Sequence, residues 1–150
     1  MAADDGLDDV AAVTPPTTVK VSGACSMLAG VLTLVLAVQA GAVLQVRGAY
    51  QLAVVLFAVC GLGAIVSGFR LTRLLGGSAL LTTGFACMTL LSALAWFVVA
   101  LMNGVLVLLA LPIVPVAGAA AITAFTSRAL VERADAARSR LRAQGLDLGL

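Results

Sequence analysis

The chain has 150 residues, of which 62% are hydrophobic and 11% charged, with a mean hydropathy of +1.15. Soluble domains carry roughly 25% charged residues, so a water-soluble fold of this size cannot hide this much apolar surface. Part of it must face lipid.

Histidine is absent. That removes the commonest general base, the commonest haem ligand and the commonest zinc ligand. Cys25, Cys60 and Cys87 are far apart, form no C-x-x-C pair and lie inside apolar runs. An odd, scattered set is neither a disulfide framework nor a zinc or iron–sulfur site, and each thiol reads as a small buried hydrophobe. No cofactor or metal is expected. The net charge of +2 is unevenly placed. Asp4, Asp5, Asp8 and Asp9 lie at the start, whereas Arg128, Arg133, Arg138, Arg140 and Arg142 lie near the end. The abundance of alanine, and of arginine over lysine, is the codon bias of a GC-rich bacterial genome. It speaks to origin and not to mechanism.

Residues 1–19 are acidic, contain Pro15-Pro16 and show no sustained period. A disordered acidic tail is expected there. It is no secretory leader, because it lacks a basic start and the apolar run after it is too long. That run lies between Lys20 and Arg47 and predicts a membrane-spanning helix over 21–46. A second run, between Arg47 and Arg70, predicts a span over 48–69, with a tight connection around Arg47–Gln51. From Leu74 to Ser127 no residue is charged. One helix of that length would be about 80 Å long, far beyond a bilayer. The chain must therefore turn back, and Asn103-Gly104 is the punctuation that allows it. Spans over 78–101 and 105–126 follow, the first of them started by a break at Gly76-Gly77. Continuous apolar runs exclude a barrel, whose strands alternate. Helices alone satisfy their own amides in hydrocarbon.

With the N-terminus inside, Lys20, Arg70, Arg73 and the five tail arginines are cytoplasmic, and only Arg47 is outside. The positive-inside bias thus predicts both termini in the cytoplasm. Tyr50 and Trp96 then fall near the outer headgroup level, where such rings collect. The expected fold is an all-α, four-helix transmembrane bundle (20–126) of a bacterial plasma membrane, with a basic cytoplasmic helical tail over 127–150.

Helices in lipid associate through small residues that let backbones approach. Ser22, Ser26 and Gly30, then Thr33, Ala37 and Gly41, make the longest such row and the best packing face. Shorter rows are Cys60, Ala64 and Gly68, and Ala79, Thr83 and Cys87. Ala117 with Ala121, and Ala119 with Thr123, add two pairs. An alanine- and glycine-rich chain makes some of these by chance. Pro112 and Pro115 predict a kink in the fourth span. Gln39 and Gln45 are the strongest polar groups at membrane depth, suited to helix–helix hydrogen bonding or to a polar pocket. The first and third spans share Gly23, Gly30 and Leu36 with Gly77, Gly84 and Leu90 at one constant offset, a weak sign of a duplicated hairpin.

From Ser127 to Gln144 helix formers dominate, and Leu130, Ala134, Ala137 and Leu141 share a face. Arg128 with Glu132, and Asp135 with Arg138, are opposite-charge pairs at helical spacing. The fourth span is expected to run straight into this helix. A solvated topology anchor is preferred over a helix lying on anionic lipid through its arginines, and that over a partner-pairing stalk.

No ionisable residue lies in any predicted span, and no nucleophile–base pair or Gly-rich phosphate loop exists. The expectation is a non-catalytic structural or accessory membrane protein that packs on a membrane partner or on itself. The alternative is a carrier or lipid-handling protein for an apolar or zwitterionic molecule. The expected partners are the lipid bilayer and another membrane protein or a second copy, with no nucleic acid.

Overall fold

The computed structural model describes residues 11–43, 48–102 and 110–143. Among them the only regular structure is helix. We label the helices α1 (Thr17–Val43), α2 (Gly48–Thr72), α3 (Ser78–Met102), α4 (Ala110–Thr126) and α5 (Arg128–Ala143). Three helical segments are long and apolar enough to cross a membrane, and a fourth joins them if the bent pair α4–α5 counts as one span. Arg47, Gln45, Asn103, Gly104 and the side chain of Tyr50 fall outside the described residues.

The N-terminal boundary differs from the expected one. Residues 11–13 form a helical turn, and α1 begins at Thr17, just after Pro15-Pro16. Helical Thr17 and Thr18 precede Lys20, so the charge that bounds the apolar run does not bound the helix. The Pro16 carbonyl accepts from the amides of Val19 and Lys20, closing the first turn. A proline just before a helix supplies an acceptor where its missing amide costs nothing. Residues 11–19 are therefore placed against the other helices, with Val13 and Val19 buried.

Each long helix packs on the next, and α4 returns to α1. The α1–α2 pair is antiparallel and very close. A Cβ on Gly30 would lie 2.5 Å from the Gly61 carbonyl oxygen, and one on Gly23 would lie 2.6 Å from that of Gly68. Glycines seven apart on each helix face one another, the spacing of a seam between supercoiled helices. Side chains at those points would push the backbones apart.

The core of the described residues has three layers, the smallest of which sets Val13 against Ala137 and Leu141. The largest joins Leu36 and Ala37 of α1, Phe57 of α2, Trp96 of α3 and Ile113 of α4. Trp96 is only 4% exposed. It is a core residue wedged between helices, with little of its ring on the surface. A bulky ring fills the space that neighbouring alanines leave. The second layer lies at the opposite end, where Val19, Leu71, Leu74 and Ala79 meet Val131 and Ala134 of α5.

The helix α5 does not continue α4. The chain bends by 49° between Leu111–Thr126 and Arg128–Ala143. The Ser127 hydroxyl donates to the Thr123 carbonyl at the bend, a side-chain bond that competes with the helical ladder. The bend lets α5 lay its apolar face across the helix ends. That face is Val131, Ala134, Ala137 and Leu141. Ala134, Ala137 and Leu141 lie on it as expected, whereas Leu130 is 38% exposed and Val131 takes its place.

Candidate functional site

The bases of the described residues collect at one end of the molecule. The antiparallel packing brings Lys20 at the start of α1, Arg70 and Arg73 at the end of α2, and the arginines of α5 together there. The turn between α2 and α3 is the hub. Its Leu75 amide donates to the Arg70 carbonyl and its Leu74 amide to the Leu71 carbonyl. That pair of bonds is a Schellman cap, whose left-handed position usually holds glycine. Here Leu74 occupies it, at φ 50°. A leucine in that region costs about 1–2 kcal/mol. Burial of its side chain among Val19, Leu71, Ala79 and Val131 compensates.

Arg138 closes the hub from α5. Its guanidinium donates to the carbonyls of Leu74 and, at 2.7 Å, Arg73. It also pairs with Asp135 at 3.3 Å and is only 16% exposed. The arginine thus satisfies carbonyls that the end of α2 leaves without helical partners, and its charge opposes the helix dipole. Of the tail arginines that the second reading sets on anionic lipid, Arg138 is turned inward and is unavailable for it. Arg128 pairs with Glu132 at 2.8 Å on the surface, and Arg133, Arg140 and Arg142 are exposed.

Ser22, Ser26, Gly30, Thr33 and Ala37 are buried within the chain, whereas Gly41 is exposed. The Ser26 hydroxyl donates to the Ala64 carbonyl of α2 at 2.9 Å, and Thr82 of α3 donates to the Ser67 carbonyl at 3.0 Å. Ser22 and Thr123 place their hydroxyl oxygens 2.8 Å apart across α1 and α4. The sequence signal for such interhelical hydroxyl bonds is serine and threonine inside apolar runs. Cys60, Ala64, Gly68 and Ala79 are buried too, but Cys87 is exposed. Gly84, the counterpart of Gly30 in the suspected repeat, faces open space, and Gly77 lies in a turn at φ +69°. The two hairpins are therefore not packed equivalently.

Gln39 is exposed on the outer side of α1, beside Val35 and Val38. It contributes nothing to the interior. Helix α4 continues through Pro115, and Pro112 lies in its first described turn. A bend of this part of the chain lies at Ser127, beyond the end of α4. No group of three His, Cys, Asp or Glu side chains comes together among the described residues.

The described pocket of note is an outward-opening groove of about 360 Å³ between α2 and α3. Val59, Leu62 and Val66 line one wall, Leu81 and Phe85 the other, and Arg70 stands at one end. Gly63 makes the floor. A Cβ there would lie 2.1 Å from the Phe85 ring, so the missing side chain lets the ring seat against the backbone. Comparison of the chain with protein-family models, curated proteins and solved structures finds no match.

Proposed function

We propose that the chain is a non-catalytic accessory protein of a bacterial plasma membrane. It forms a four-helix transmembrane bundle with both termini cytoplasmic, and it works by packing on a membrane partner or on a second copy. The observation that carries this reading is the position of Gln39. It stands exposed on a face of α1 that is otherwise Leu28, Val31, Val35 and Val38. A polar amide in hydrocarbon gains by finding a partner, by about 0.6–2 kcal/mol. The small residues of α1 are consumed inside the chain, so a partner meets the outer face instead.

The membrane reading is supported by the apolar outer surfaces of α1, α2 and α3, and the orientation by the gathering of bases at one end. The carrier reading has less support, since Gln39 faces away from the interior. A photo-crosslinking side chain placed at position 39 in intact membranes tests the proposal. It should give a discrete adduct, either of twice the chain mass or with one membrane protein. A chain that stays monomeric at every expression level would overturn it. Reporters fused at either terminus should remain cytoplasmic, and export of either one reverses the orientation.

A further inference from the structure

We propose that the groove between α2 and α3 holds one acyl chain of an anionic phospholipid from the cytoplasmic leaflet, with Arg70 meeting its phosphate. The inference rests on the membrane reading above and names a ligand for a specific site on that surface.

Size selects the occupant. The lining runs along α2 from Val59 to Arg70, about 16 Å at the helical rise. That is close to half the roughly 30 Å hydrocarbon thickness, the depth of one leaflet. A volume of 360 Å³ over that length leaves a cross-section of about 22 Å². A single extended hydrocarbon chain lies within a slot of that width, whereas a partner helix about 10 Å across would rest on its rim.

Chemistry selects the headgroup. The walls are aliphatic and aromatic apart from Ser67, whose hydroxyl donates to the Ala64 carbonyl, and the cation lies only at the end shared with the other bases. Among the described residues Arg70 pairs with no carboxylate, its hydrogen bond being a long one to the Gly76 carbonyl at 3.5 Å. The nearest acid to that carbonyl's residue, Asp135, is paired with Arg138. Arg73 is close by in sequence, stacked 4.5 Å over the Phe69 ring. A phosphate with no compensating amine suits the Arg70 guanidinium, whereas a choline headgroup would set its own cation against it.

The test uses the full chain, first floated with phosphatidylcholine vesicles and then released from detergent into a native mass spectrometer. Phosphatidylglycerol and phosphatidylcholine with the same acyl chains are offered at equal concentration. One phosphatidylglycerol should be retained per chain in preference to phosphatidylcholine. Arg70→Gln should cut that preference about fivefold, the factor one cation contributes at an anionic surface. Val66→Trp, at an exposed wall position, should empty the groove, and Leu81→Trp should do so from the other wall. Arg142→Gln should change nothing. Equal retention of both lipids, or full retention in both tryptophan variants, overturns the proposal. A chain that floats but shows no preference sinks the lipid site alone. A chain that does not float sinks the membrane reading beneath it.

Discussion

Gly30 and Gly61 sit so close that a methyl group on either would fall within 2.8 Å of the other's carbonyl oxygen. Both obstacles are backbone, which cannot rotate away. Gly30→Ala and Gly61→Ala should each destabilise the fold by about 1–3 kcal/mol, the usual cost of overpacking. Unfolding titrations in mixed micelles measure this. Gly84→Ala is the control. Its Cβ meets nothing within 4 Å, so it should be neutral or slightly stabilising.

Arg138→Gln shortens the side chain and removes the charged donors from the bonds to Arg73 and Leu74. Hydrogen bonds to charged groups contribute about 1.5–3 kcal/mol. Hydrogen exchange of residues 128–143 should accelerate accordingly, while the amides of α1 stay protected. Asp135→Asn should do much less, because its carboxylate is 43% exposed and such pairs contribute about 0–1 kcal/mol. Equal effects from both variants would show that the ion pair, and not the carbonyl bonds, holds α5.

Leu74→Gly sets two terms against each other. Glycine removes the left-handed strain, worth about 1–2 kcal/mol. It also deletes a side chain that is 1% exposed, and truncating a buried leucine costs about 2–5 kcal/mol. The net effect should be a loss of stability, read as a lower Tm. A gain would mean that strain outweighs packing at this turn.

Buried hydroxyls should divide by partner. Ser78 has a fully buried Oγ without a hydrogen-bond partner among the described residues. Ser78→Ala therefore relieves an unmet desolvation cost and should stabilise by up to about 1 kcal/mol. Thr82→Val breaks the bond to the Ser67 carbonyl and should cost about 0.6 kcal/mol, the mean for such bonds between membrane helices. Thermal unfolding of the two variants should move in opposite directions.

The starts of α2 and α3 were legible, one just after the charge of Arg47 and the other just after the Gly76-Gly77 break. Gly48 and Ser78 start α2 and α3 where the runs predict. What was hidden is pairwise. A row at spacing four marks Ser22, Ser26 and Gly30 as one face, but the closest approaches follow spacing seven, Gly23 with Gly68 and Gly30 with Gly61. That register depends on two helices at once, and a single run does not carry it. Trp96 was placed by its distance from a turn, whereas its burial depends on the alanines opposite. The bend at Ser127 escaped notice because serine and arginine fit a helix well. Tertiary contacts of Val131 and Ala134 with Leu74 and Val19 draw α5 aside. The groove was invisible for a similar reason, since its walls come from two helices and its floor from the absence of a side chain at Gly63.

The arginine that finishes the α2–α3 turn is encoded 64 residues after the carbonyl of Leu74 that it holds. During synthesis the hairpin leaves the ribosome with that helix end still dependent on water for its hydrogen bonds. Only when the final helix emerges can the corner be completed. Assembly therefore has a last step that is distinct from the packing of the apolar helices, and a chain halted before residue 138 would hold those helices without their latch.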